Sequence, residues 1–298
     1  MVSTSCQAGG RAGPDIAQFC KSAPLEPRLT ELVSASNLIV GARAQVPKEA
    51  LIAAAKSASA HYIDVPLRAI DILKGSVRGN GLTVSVFPQD RPYAPGIPDI
   101  LAADENDRIF FLTYVDEGSG GIYFAGRTPD ALRPADRASI RPVRREIARQ
   151  ARFLRSWKPD KSLPSYREVG MLIDGLAHIT RTGPGTNAER NAQADVFRRL
   201  EALGEPAVPA IIAQMDDRRP LAFQEISLVN TSPDGFEGLR HYGPELIVDA
   251  LDAVLNQITG HSFGEIVNGA SERQRRGAVD GWRIFAASRQ CAEAARRR

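Results

Sequence analysis

The 298-residue chain is poor in the residues that most often build reactive centres, with three cysteines, four histidines, three methionines and two tryptophans. Cys6, Cys20 and Cys291 form no C-x-x-C or Cys/His pattern, and His61, His178, His241 and His261 stand apart without a second ligand at helical spacing. Neither a metal site nor a cofactor is therefore expected. No Gly-x-Ser-x-Gly elbow is present, and Gly118-Ser119-Gly120-Gly121 reads as a hairpin turn. The glycines from Gly75 to Gly81 lack the Lys-Ser/Thr and the helix of a phosphate cradle, and Asp104-Glu105-Asn106-Asp107 lacks the glycine and distal glutamate of an EF-hand. No apolar stretch approaches the ~18 to 20 residues of a membrane span. The start, Met1-Val2-Ser3-Thr4-Ser5-Cys6, has no charged-then-apolar signal pattern. It suits either a cytoplasmic protein or, the reading preferred here, a periplasmic or otherwise extracytoplasmic one whose signal has been removed.

What is present suffices for a core: 43% hydrophobic and 24% charged residues, in a length that favours two domains. The net charge of +3 is unevenly spread. Residues 1–140 carry 14 basic and 15 acidic side chains, 141–158 carry 7 and 1, and 159–298 carry 17 and 19. Both large parts are near neutral, so bulk attraction to polyanions, and a nucleic-acid partner with it, is not expected. Cys6 and Cys20 flank a stretch that an oxidised pair would staple, leaving Cys291 unpaired; three reduced thiols in a cytoplasmic chain are the alternative.

The hydrophobic rhythm changes near residue 140. Before it, Leu38–Arg43, His61–Leu73, Leu82–Phe87, Ile109–Val115 and Ile122–Ala125 read as strands, and Pro47–Ala60 as an inserted helix. Within the second strand Ile63, Val65 and Leu67 share one parity while Ile70 and Ile72 take the other, which implies a bulge or bend. An irregular Pro-rich connection spans Pro88–Pro98. Residues 141–158 form an amphipathic helix: Val143, Ile147, Ala151, Leu154 and Trp157 make an apolar stripe, and Arg144, Arg145, Arg149, Arg152 and Arg155 gather opposite. After residue 159 the period is helical, opening with a Ser165-Tyr166-Arg167-Glu168 capping box and the apolar run Val169, Met171, Leu172, Ile173, Leu176 and Ile179, within which His178 falls. His178 reads there as a hydrogen-bonded structural imidazole. The loop from Arg218 to Tyr242, which holds Arg240, His241 and Tyr242, is long for a helical domain and is a candidate site.

Two resemblances follow from short motifs. Ala35-Ser36-Asn37-Leu38-Ile39-Val40-Gly41 followed by Ile70-Asp71-Ile72-Leu73-Lys74-Gly75-Ser76 resembles the netrin and metalloproteinase-inhibitor branch of the oligonucleotide/oligosaccharide-binding (OB) barrel. The inhibitors' amino-terminal Cys-x-Cys is absent, because Gln7 and Ala8 follow Cys6, so their zinc-directed mechanism does not carry over. Leu203-Gly204-Glu205-Pro206-Ala207-Val208-Pro209-Ala210-Ile211-Ile212 resembles the turn and second helix of a HEAT-type repeat. Ile258-Thr259-Gly260-His261-Ser262-Phe263-Gly264 with the later Trp282 resembles the ending of some bacterial HEAT-like proteins.

The expected fold is α+β. An extension (1–34) precedes a small antiparallel OB-like barrel (35–140), a basic linker helix (141–158) and an all-α HEAT-like domain (159–298). The resemblances, with the absence of an assembled catalytic motif, imply a non-catalytic, protein-binding module of the bacterial cell envelope, an inhibitor or immunity protein. The arginine face of 141–158 reads either as a solvated face or as a docking surface for an acidic partner or a membrane headgroup. Arg144, Arg145, Arg149, Arg152, Arg155, Arg240, His241 and Tyr242 are the candidate binding residues, and no catalytic residue is assigned. The alternatives are a hydrolase with a site between the domains using His241 and nearby carboxylates, the same loop holding Asp234 and Glu237, and, ranked last, a single-strand nucleic-acid module.

Overall fold

A computed structural model describes residues 14–22, 26–56, 63–77, 82–86, 101, 106–116, 121–125, 129–229, 238–264 and 266–297. Cys6, His61, the Pro88–Pro98 connection, Asp104, Glu105, Ser119, Asp234, Glu237 and the glycines Gly79, Gly81, Gly118 and Gly120 lie outside them.

The antiparallel sheet is made of β1 (Leu38–Ala44), β2 (Ile63–Lys74), β3 (Leu82–Val86), β4 (Arg108–Asp116), β5 (Gly121–Phe124) and β6 (Leu132–Pro134). Its order is β3-β2-β1-β4-β5, with β6 also on β4. β1 and β4 are covered on both faces, which explains their unbroken apolar runs. Leu38, Val40, Phe110 and Leu112 face one core with Val65, Leu67 and Val84, whereas Ile39, Ile109 and Phe111 face a layer of helices. β2 is long because it serves two neighbours: Ile63–Leu67 pair with β3, and Leu67–Lys74 with β1. The parity slip lies where expected, with register shifts between Ile39/Val40 and Gly41/Ala42 opposite the second half of β2. Past that slip Ile70 and Ile72 are 53% and 47% exposed. The outer strands β3 and β5 come within 8 Å of each other, yet no ladder joins them among the described residues, so the sheet curls without a demonstrated closure.

Three helices of this half lie within the described residues over their full length. α1 (Pro14–Lys21) and α2 (Pro27–Ala35) precede the sheet, and α3 (Lys48–Ala55) is inserted between β1 and β2. α4 (Arg137–Ser156) follows the sheet, then α5 (Tyr166–His178), α6 (Asn187–Ala202), α7 (Val208–Ile212), α8 (Ile247–Thr259) and α9 (Glu272–Arg296). α8 is buried almost all round, from Ile247 to Leu255. The buried Trp282 of α9 donates its indole N–H to Asp252 of α8 at 2.6 Å. The expected all-α character needs correction, because β7 (Ile226–Val229) and β8 (Leu239–Tyr242) form an antiparallel hairpin in what the sequence suggested was a loop. Ile226 and Leu228 alternate into the core, a four-residue signal too short to stand out. The capping box at Ser165 does not form: Ser165 sits at φ 61° and caps nothing, while true boxes close at Thr186/Glu189 and Ser271/Gln274.

The described part of residues 1–34 is integral to the fold. α1 and α2 pack on α4 and on the C-terminal α9, with Phe19, Phe153, Ile284 and Ala287 forming their shared core. Cys20 on α1 is bonded to Cys291 on α9. That pairing replaces the expected Cys6–Cys20 staple, because α9 folds back across the junction and sets Cys291 beside Cys20 with their Cα atoms 5.2 Å apart.

Candidate functional site

α4 begins earlier than its hydrophobic pattern suggests, because the Asp136 carboxylate accepts the Ser139 N–H at 2.7 Å and caps it. Its buried face is Val143, Glu146, Arg149, Gln150 and Phe153, rotated from the expected apolar stripe. Arg149 is therefore not among the outward arginines. Its guanidinium donates to Glu146 (2.7 and 2.8 Å), to the Phe19 carbonyl (2.9 Å) and to the Thr30 hydroxyl (3.0 Å), and lies 3.7 Å from the Phe19 ring centre. Gln150 completes the cluster by donating to Glu146 and to the Thr30 carbonyl. Helical periodicity missed this cluster because the partners come from α1 and α2, over a hundred residues away.

Arg144 is exposed and pairs with Asp71 of β2 at 2.5 Å. Arg145, Arg152 and Arg155, with Arg141, are exposed and make no ion pair among the described residues. At 100° per residue these four fall within about 80° of one helix face, along a ridge of roughly 21 Å. The far end of α4 is anchored where Arg283 of α9 lies 3.8 Å from the Trp157 ring centre and pairs with Asp216 at 2.7 Å.

Arg240, His241 and Tyr242 occupy β8 and do not converge, since neighbours on a strand face opposite ways. Arg240 reaches Asn256 at 3.4 Å, His241 Nδ1 is 2.9 Å from the Ser227 hydroxyl across the hairpin, and Tyr242 packs on the helical core. None of the three is among the residues that line the junction cleft. His178 is hydrogen-bonded as expected, its ring meeting the Asp174 carbonyl at 2.6 Å, but it is exposed on the last turn of α5 rather than set among apolar side chains.

The cleft at the junction holds about 320 Å³. Its walls are the α2–β1 turn (Ser34–Asn37), the end of β2 (Lys74–Ser76), Tyr114, Gln150 and Leu154 of α4, Phe263–Gly264 and one face of α9. Gly75 has φ +81°, and a Cβ there would lie 2.3 Å from the Asn37 carbonyl oxygen, so only glycine lets β2 close onto that turn. Gly281 similarly admits Phe263, which would meet a Cβ at 2.7 Å. The partly buried Lys74 ammonium donates to the Val33 carbonyl at 2.6 Å; burial lowers its pKa to about 8, with Asp280 opposing the shift. The same enclosure raises the Asp280 carboxyl above its ordinary range, against the pull of Arg283 and Lys74.

The cleft as such was not anticipated from the sequence, although Asn37, Lys74, Gly75, Phe263 and Gly264 all belong to the segments that carried the two resemblances. A lysine followed by glycine at the end of a half-buried strand was the available signal. Among the described residues no group of three or more His, Cys, Asp or Glu could hold a metal ion, and no helix is long and apolar enough to cross a membrane. Comparison with protein-family models, with curated proteins and with solved structures returns no match to the chain.

Proposed function

We propose that this chain is a non-catalytic binding protein of an extracytoplasmic compartment, docking an acidic protein partner on the outer face of α4, as an inhibitor or immunity protein would. The observation that carries the reading is the ridge of Arg141, Arg145, Arg152 and Arg155, exposed and unneutralised among the described residues, on a helix whose opposite face is locked by the Arg149–Glu146 cluster. Unpaired cations on a rigid helix steer an acidic surface, and the backbone that carries them needs no ordering on binding. The Cys20–Cys291 bond supports an oxidising compartment. The curled sheet supports an OB-like barrel for the first half, and the turn from Leu203 to Ile212 with its short 3-10 segment at Glu205–Ala207 supports one HEAT-type unit in the second.

The test starts by isolating the retained partner from envelope extract and expressing it. Its affinity is then measured for the wild-type chain and for the R145E/R152E/R155E variant across a salt series, beside single-stranded DNA and anionic vesicles. The proposal expects affinity for the protein that falls with salt and collapses on charge reversal at unchanged melting temperature. A partner held equally by the reversed variant, or preferential binding to DNA or vesicles, refutes it.

A further inference from the structure

The junction cleft has a chemistry that the ridge does not use. Lys74 brings an ammonium with three donors, of which one is used on the Val33 carbonyl; among the described residues it makes no other hydrogen bond and no ion pair within 4 Å. A partly buried cation with spare donors on a cavity wall, drawn only at longer range by Asp280, favours an acceptor beside it. The rest of the wall is mixed: Arg273 and Arg276 add positive charge against Asp280, while Leu154, Phe263 and Ile284 offer apolar surface.

The space is also kept open without a packing reason. Gly277, inside α9 and on the wall, would meet nothing within 4 Å of an added Cβ, unlike Gly75 and Gly281. Glycine within a helix is less favourable than alanine, so the fold alone would favour a side chain there.

We propose that the cleft binds a small amphipathic anion, its single negative group on the Lys74 ammonium and its aliphatic portion against Leu154, Phe263 and Ile284. The cavity is at the lower end of the ~300–1,000 Å³ of small-molecule sites, which suits a short-chain carboxylate or alkyl phosphate. The acceptor chemistry is common to both sources, and octanoate and octyl phosphate separate them.

Titration calorimetry of the full-length, disulfide-bonded protein with octanoate, octyl phosphate and octanol tests this. At least one anion binds at one site per chain, about tenfold or more tighter than octanol; octanoate alone points to a carboxylate source, octyl phosphate alone to a phosphate, and both to the shared head-group chemistry. Lys74→Met lowers anion affinity by about tenfold or more. Gly277→Leu, which fills the cavity while favouring the helix, abolishes binding and leaves the melting temperature at or above that of the wild type. Failure of both anions to bind, equal binding of octanol, or undiminished binding by a folded Gly277→Leu variant overturns the proposal.

Discussion

Replacing Arg149 by methionine separates a structural from a surface role for the arginines of α4. The side chains of Arg149 and Glu146 are 7% and 2% exposed, and the guanidinium supplies two of the three hydrogen bonds that Glu146 accepts, besides those to Phe19 and Thr30. Methionine keeps much of the apolar volume but leaves a buried carboxylate with the Gln150 amide alone. Removing one partner of a buried pair costs about 3–5 kcal/mol, whereas removing both can be close to neutral. Urea denaturation of Arg149→Met should therefore show a loss in that range at unchanged slope, and Glu146→Leu/Arg149→Met should recover most of it. The coupling between the two sites would exceed about 2 kcal/mol. A single variant that costs less than about 1 kcal/mol, or a double variant as unstable as the sum of the singles, would refute the buried-cluster account and return Arg149 to the binding surface.

Three further outcomes are expected. Cys20→Ser/Cys291→Ser opens a link between residues 271 apart, which chain-entropy reasoning puts at roughly 5–6 kcal/mol and native bridges commonly measure at 2–5; denaturation of oxidised and reduced protein checks it, and identical midpoints would contradict it. Gly75→Ala places a Cβ 2.3 Å from the Asn37 carbonyl at φ +81°, so a loss of about 2–4 kcal/mol is expected in thermal melts, and a neutral result would mean the β2–α2 approach is looser than described. Lys74 sheds its proton near pH 8 in the folded chain and near 10.5 when unfolded, so the unfolded state holds more protons between those values and stability due to this residue rises with pH across that window. Wild type minus Lys74→Met isolates this slope from every other group in the chain, and a flat or falling difference would contradict it.

The parts legible in the sequence were those governed by local rhythm. The long strands followed from unbroken apolar or alternating runs and the bulge in β2 from a slip in parity, whereas α4 followed from its period with its ends and the setting of its buried face misplaced. What escaped depends on distant partners. The Arg149–Glu146 cluster looks like any charged stretch until α1 and α2 supply Phe19 and Thr30. Cys20 and Cys291 are brought together only because the last helix returns across the first. Arg240, His241 and Tyr242 were grouped by adjacency, which a strand undoes by facing neighbours apart. The cleft was invisible for a different reason: its walls come from both ends of the chain, although the motifs that suggested two separate resemblances supply Lys74, Gly75, Phe263 and Gly264 to it.

Phenylglyoxal labelling read by mass spectrometry is the most direct test of the division of α4 into an anchored and a presenting face. In the native protein Arg141, Arg145, Arg152 and Arg155 should react rapidly while Arg149 stays unmodified, and adding the isolated partner should protect those four alone. Rapid labelling of Arg149 in the folded chain, or a partner that leaves those four as reactive as before, would contradict the account.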